Sequence, residues 1–250
     1  TGTTGIKRID NLSFDVKAGE IFGIAGVEGN GQGHLVEVLT GLSNKYQGEI
    51  TIFDQSAKGL TIRGLRDAGM AHIPEDRMTF GCAEGMNIMD NLFSNQYYKP
   101  EYSSKILLKT KRMEKRTDEL IDEYLIKCKS YKQSVGMLSG GNIQKVVVAR
   151  EFSTDPKIII ANQPTRGIDV GAASFIRQRI IELRDAGCAV ILISADLNEV
   201  LELSDRLAVI YKGRFSGVFK DVKNVTEVEL GKYMLGIKSD ENLEGIIYEQ

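Results

Sequence analysis

Cysteine is scarce in this 250-residue sequence, apolar runs are short, and positive charge is not in excess. The three cysteines, Cys82, Cys128 and Cys188, lie far apart with no C-x-x-C spacing. Their odd number and spacing argue against both a disulfide framework and a zinc site, and a reducing compartment fits them best. The longest apolar runs, such as Ala189–Ile193, are strand-sized, far below the roughly 18 residues that a membrane-crossing helix needs. Lys plus Arg number 32 against 34 Asp plus Glu, a formal charge of −2. With a sequence pI near 5.9, that balance argues against a dedicated nucleic-acid binder. No signal peptide is recognisable, and the first residue is Thr1 instead of Met, so an excised part of a longer polypeptide is expected.

What is present is the composition of a folded domain, 42% apolar and 26% charged. Glycine punctuates the first third. Leu12–Val16 alternates apolar with polar residues, Lys17–Glu20 reads as a turn, and Ile21–Ala25 is an apolar run of buried-strand length. A glycine cluster, Gly26-Val27-Glu28-Gly29-Asn30-Gly31-Gln32-Gly33, follows it. Leu35, Val36, Val38 and Leu39 then keep helical spacing until Gly41. Thr61–Ala68 predicts a short helix, Met70–Ile73 a strand and Pro74–Arg77 a loop.

Between about Gly85 and Gly136 the β-branched runs vanish. Lys105–Glu123 carries mixed charge, with Met113, Leu120, Ile121, Tyr124 and Leu125 at helical spacing, which predicts a helical subdomain with a solvated face of i,i+4 pairs. Strands resume at Lys157–Ala161, Cys188–Ile193 and Leu207–Tyr211, giving an α/β layered core interrupted by a helical insert. Lys238–Gln250, with one lysine and four acids, is not expected to serve the core.

A strand that runs into a glycine-rich loop and then a helix is the arrangement that cradles phosphates, because backbone N–H groups converge and the helix N-terminus adds partial positive charge. Gly26 and Gly31 match the two glycines of G-x-x-x-x-G-K-[ST], but Gln32 replaces the lysine and Gly33 the hydroxyl residue. By itself the loop fits a phosphate cradle and an unliganded glycine turn equally well. Two later segments break the tie. Leu138-Ser139-Gly140-Gly141-Asn142, running into an apolar helix, resembles the ABC-transporter signature L-S-G-G-Q. Ile158-Ile159-Ile160-Ala161-Asn162-Gln163-Pro164-Thr165 resembles the Walker B strand, whose usual end is Asp-Glu-Pro-Thr. Arg166–Asp169 resembles the family's D-loop, Ile193–Leu197 its switch and Ile73–Arg77 its Q-loop.

The sequence therefore resembles an ABC-transporter ATP-binding domain over nearly its whole length. Phrases such as Gly26–Gln32 and Pro164–Ala172 are similar to the second, C-terminal and degenerate domain of simple-sugar and nucleoside importer ATPases. Asn95–Lys99, with its tyrosine pair, leans to the nucleoside branch. The resemblance implies an α/β P-loop core of ABC type with an antiparallel β subdomain and a helical insert. The expected division is core at 1–84 and 137–220, signature subdomain at 85–136, and a C-terminal helix and acidic tail at 221–250.

Site residues follow by position. The nucleotide loop is Gly26, Glu28, Gly29, Asn30, Gly31, Gln32, Gly33 and His34, although for His34 an exposed helix role competes with phosphate contact. Gly33 and Asn162 replace the magnesium ligands, Gln163 the general base, Ala195 the switch histidine and Glu75 the Q-loop glutamine, so no catalytic set is intact. Leu138, Ser139, Gly140, Gly141 and Asn142, with Asp169 in the D-loop, form the surface that the family turns toward a partner's ATP. The family's adenine-stacking aromatic has no counterpart in Thr1–Ile9.

ATP held weakly, and no magnesium at the domain's own site, are the cofactor expectations. The expected partners are an N-terminal ABC domain of the same polypeptide, transmembrane permease subunits and, indirectly, an extracytoplasmic substrate-binding protein, all at the cytoplasmic face of the membrane. Two other readings compete: a slow but active self-dimerising ATPase, and a soluble non-transport ABC protein, which would call for a basic linker or coiled-coil insert that the sequence lacks.

Overall fold

The computed structural model describes residues 9–104, 106–240 and 243. The chain divides into two compact units: described residues up to His72, Lys157–Gln163 and those from Ile180 onward in the first, Ile73–Pro156 and Pro164–Arg179 in the second.

The first unit is built on a six-stranded sheet. Its strands are β1 (Ile21–Ala25), β4 (Met70–Ile73), β5 (Ile158–Asn162), β6 (Ala189–Ser194), β7 (Arg206–Tyr211) and β8 (Arg214–Phe219), in the order β4-β5-β6-β1-β7-β8. β2 (Thr51–Ile52) and β3 (Gln55–Ser56) form a separate antiparallel pair. α1 (Gln32–Leu39), α2 (Ile62–Asp67), α7 (Leu197–Leu203) and α8 (Glu227–Met234) complete the unit. β5, β6, β1 and β7 run parallel, and every residue of β1 and β6 is buried, as strands covered on both faces must be. Phe22, Ile24, Leu35, Ile160, Ile193, Ala208 and Ile210 share one apolar cluster beneath α1. Gly23 is small because Ser204, just past α7, approaches it: a Cβ there would lie 2.2 Å from the serine hydroxyl.

The predicted strands Ile21–Ala25 and Met70–Ile73 agree with the structure residue for residue, and the strand expected at Lys157–Ala161 is shifted by one residue to Ile158–Asn162, bringing Asn162 into the sheet. Leu12–Val16 forms no strand despite its alternation; Phe14 instead stacks on Phe22 with ring centroids 5.2 Å apart. β8 went unanticipated because Arg214, Ser216 and Gly217 dilute its apolar pattern, and its support is antiparallel pairing with β7. Thr1–Arg8 and most of Lys238–Gln250 lie outside the described residues, so the expectations placed on them find no counterpart here.

The second unit is helical: α3 (Ile88–Phe93), α4 (Thr110–Glu123), α5 (Gly140–Phe152) and the first part of α6 (Val170–Asp185). α4 buries Met113, Thr117 and Leu120, one stripe at i, i+4, i+7, and leaves its charge outside. The expected i,i+4 pairs are realised differently, as Arg116–Glu119 at 3.2 Å and Arg116–Glu123 at 3.7 Å. From Ile143 onward α5 is buried almost all round, and its Arg150 is neutralised by Glu151 at 2.8 Å and by the Gly81 carbonyl at 2.7 Å.

All three cysteines are free, and burial pushes the Cys188 thiol up to about 12.

Beside β1, Arg206 is buried against Glu20, with Nε donating to Oε1 at 2.9 Å and the guanidinium lying 4.8 Å from the centre of the Phe22 ring. Arg206→Met removes the guanidinium from the buried Glu20 carboxylate and should cost about 3–5 kcal/mol of unfolding free energy, read by urea denaturation.

Candidate functional site

Parallel strands release their loops at one edge, and here the register puts the important ones side by side. Ala25 pairs with Ser194, and Asn162 with Ile193. The glycine loop after β1, the Asn162–Gln163 end of β5 and Ala195 after β6 therefore emerge from three adjacent strands at the carboxyl edge of the sheet. That edge is where open α/β sheets bind ligands.

The loop itself is held in shape from within. Gly29 has φ 91° and Gly31 φ 115°, left-handed conformations in which a side chain is strained. Gly31 is the N-cap of α1 and offers no side chain to the helix amides, which leaves them available to an anion. A Cβ on Gly29 or Gly33 would meet nothing within 4 Å, so this side of the loop is open.

Asn30 serves the loop's frame. Its Nδ2 donates to the Val27 carbonyl at 3.0 Å, its Oδ1 accepts from the Lys212 amide at 2.9 Å, and its own carbonyl accepts from Gly213 at 2.8 Å. Gln32 also folds inward: Nε2 donates to the Val27 carbonyl at 3.0 Å and Oε1 is buried without a partner. Gly26 is confined by that same amide, since a Cβ there would lie 2.5 Å from Gln32 Nε2. His34, in the first turn of α1, has Nδ1 3.0 Å from Glu37 Oε2, the exposed-helix arrangement.

At the end of β5, Gln163 adopts φ 51°, its amide donating to the Ile193 carbonyl at 2.7 Å while Oε1 accepts from the Ala195 amide at 3.4 Å. The two positions that the resemblance matched to a base and a switch histidine are thus bonded to each other, with no titratable group at either. Gly33 and Asn162 offer magnesium no charged ligand. Among the described residues no group of three or more His, Cys, Asp or Glu is placed to hold a metal ion. The backbone cradle fits phosphate; the donor set does not fit magnesium.

The signature segment lies in the second unit. Ser139 caps α5, accepting from the Asn142 amide at 3.5 Å and from Asn142 Nδ2 at 2.8 Å, which leaves the hydroxyl proton free to donate outward. Asn142 Oδ1 accepts in turn from the Lys127 amide at 2.8 Å. The shorter amide thus bridges the signature to the chain after α4. In the turn that follows β5, Asp169 Oδ1 accepts from the Ala172 amide at 2.9 Å at the start of α6. Gly141 is small because of it: a Cβ would lie 2.6 Å from Asp169 Oδ2.

In the Q-loop segment Glu75 pairs with Arg166, and Arg77 bonds to two backbone carbonyls. A charged loop gives no hint of such a partner in sequence.

A phosphate-loop α/β core joined to a helical unit that carries a capped signature helix defines a nucleotide-binding cassette. A family model described as ABC transporter matches residues 9–166, and the chain belongs to that family. It is 44% identical over 234 residues to the guanosine import ATP-binding protein NupO of Bacillus subtilis, covering 94% of this chain and 46% of that protein. It is 39% identical over 232 residues to the nucleoside import ATP-binding protein NupA of Lactococcus lactis, covering 93% and 46%. The chain thus spans about half the length of these curated relatives. Among solved structures, that of the dimeric bacterial ABC transporter cassette MJ0796 superposes with a TM-score of 0.76 at 21% identity, over 90% of this chain and 95% of that one. The fold expectation, a mixed α/β P-loop core of ABC type, holds.

Asp76 caps the π-turn Arg77–Gly81, and the bond from the Thr79 hydroxyl, followed by the Thr79 and Met78 amides, holds its carboxyl below the ordinary 3.8. Because the folded value is the lower one, this cap contributes stability above the unfolded pKa and loses it as pH falls through the folded one. Thr79→Val should move the Asp76 titration upward toward 3.8, read by carboxyl carbon chemical shifts.

Proposed function

We propose that this chain is the second, degenerate nucleotide-binding domain of an importer ATPase for simple sugars or nucleosides, and that it works mainly by completing the ATP site of a partner domain. The observation that carries the reading is a contrast. The loop at Gly26–Gly33 retains its backbone cradle but seats a neutral, inward-folded Gln32, whereas the signature helix keeps its cap and an outward hydroxyl donor at Ser139. The relatives named for guanosine and nucleoside import support the nucleoside branch.

The energetics favour that division of labour. In a phosphoryl-transfer site the loop lysine grips the β and γ phosphates, while a hydroxyl and an aspartate hold magnesium. Charge-assisted hydrogen bonds are worth about 1.5–3 kcal/mol each against about 0.5–1.5 for neutral ones. Replacing these groups by Gln32, Gly33 and Asn162 therefore removes several kcal/mol of nucleotide and metal binding, yet the loop amides still offer a weak phosphate site. The groups that would touch ATP phosphates here are the backbone amides of Gly29 and of Gly31–Gly33, since the Asn30 amide and the Gln32 side chain are both bonded to the Val27 carbonyl. Gln163 cannot take a proton from water at neutral pH, so hydrolysis has no base at this site. Glu75 is spent on Arg166 and does not act as a water-positioning group.

In the assembled importer, Leu138–Asn142 and Asp169 face nucleotide held by an N-terminal ABC domain of the same polypeptide. The permease subunits engage the cytoplasmic side of the assembly, and the substrate-binding protein acts through them. Among the described residues no helix is long and apolar enough to cross a membrane, so membrane attachment in this reading runs through those subunits. Residues 85–136 serve as the signature subdomain and 1–84 with 137–220 as the core.

Two measurements test the reading. The purified chain should show no ATP hydrolysis above background, and calorimetric titration of ATP should give the same weak affinity with and without magnesium; robust turnover or a strong magnesium dependence would favour the self-dimerising ATPase instead. In the complete polypeptide, Ser139→Ala should lower the ATPase kcat by at least about tenfold, the loss expected for a single transition-state hydrogen bond of roughly 1.4 kcal/mol.

A further inference from the structure

Three carbonyls of the turn that follows β5 are held by long side chains of the same unit. Gln144 of α5 donates Nε2 to the Pro164 carbonyl at 2.8 Å. Arg77 donates Nη1 to the carbonyl of Arg166 at 2.8 Å and Nη2 to that of Gly167 at 3.1 Å. The Glu75–Arg166 ion pair joins the same two segments through side chains. A guanidinium spanning two successive carbonyls fixes direction as well as distance, which a lysine ammonium does not.

The signature glycines bear on this arrangement. A Cβ on Gly140 would lie 2.9 Å from Arg77 Nη2, and one on Gly141 2.6 Å from Asp169 Oδ2 and 2.9 Å from the Ala172 Cβ. The Arg77 head could swing away from a methyl group at Gly140, but only by leaving the Gly167 carbonyl. Gly140 is the first residue of α5, where alanine is otherwise the better helix former. Asp76 holds the backbone at the base of the Arg77 side chain through the Met78 and Thr79 amides.

We propose that Arg77 is a positioning residue that braces the signature segment 138–142 and the turn 164–169 into one rigid surface, and that Gly140 is small in order to admit its guanidinium. The functional half of this inference rests on the reading that the surface completes a partner's ATP site; the structural half does not. It places the segment beginning at Pro74 in mechanical contact with the loop that carries Asp169, so displacement of one moves the other.

The structural half is tested on this chain by amide hydrogen exchange across residues 164–172. Arg77→Ala and Arg77→Lys should each speed exchange there by about tenfold, the effect of losing roughly 1.4 kcal/mol of local protection. Gly140→Ala should do the same when Arg77 is present and add nothing in the Arg77→Ala background. Equal effects of Gly140→Ala in both backgrounds would overturn the brace, because the glycine would then be needed for some other neighbour. Should Arg77→Ala fold poorly, Arg77→Lys, which keeps charge and stem but not the fork, supplies the second background.

In the complete polypeptide, Arg77→Lys should lower ATPase kcat several-fold with KM within about twofold, since it disturbs the geometry of a completing surface and not the site that grips nucleotide. An unchanged kcat beside accelerated exchange would remove the functional half while the brace stood. An unchanged kcat in Ser139→Ala would instead overturn the partner-site reading itself, so the two failures are distinguishable.

Discussion

The parallel register of β5, β6 and β1 is the constraint on which the remainder depends. Once Ala25 is opposite Ser194 and Ile193 opposite Asn162, three loops must leave the sheet at one level, whatever side chains they carry. β1 and β6 are buried on both faces, so a one-residue slip would turn every side chain to the opposite face and undo close fits such as Gly23 against Ser204. The placement of the site is consequently a property of the core, whatever chemistry its side chains carry.

That separation explains what could be read before any coordinates. Strands such as Ile21–Ala25 announce themselves because an uninterrupted apolar run between turn residues has few other uses. The glycine cluster announced a loop between strand and helix, and in the structure Gly29 and Gly31 take the left-handed φ of 91° and 115°. The neutral residues Gln32, Asn162 and Gln163 were equally legible, because each sits at a fixed place in a motif that the sequence resembles.

Other features were hidden for physical reasons. β8 owes its existence to pairing with β7, a long-range contribution that local pattern does not report. Leu12–Val16 shows the opposite case, an alternating segment whose aromatic residue is used for stacking on Phe22 and whose backbone joins no ladder. The partners of Arg77 and Glu75 were hidden, since nothing in a sequence of polar residues says which carbonyl or guanidinium will face them. Asn30 was taken for a ligand contact, and its side chain turns out to be committed to Val27 and Lys212, holding the loop's curvature.

The left-handed backbone at Gln163 carries a wider implication. Its amide is bound to Ile193 and its conformation is set before the side chain begins, so a glutamate at that position would inherit the same geometry at no added conformational expense. The genetic code makes glutamine to glutamate, asparagine to aspartate and glutamine to lysine single-base changes. The course of the main chain at Gln163 therefore fixes where such a side chain starts and not whether it bears a charge, and a single base separates the two.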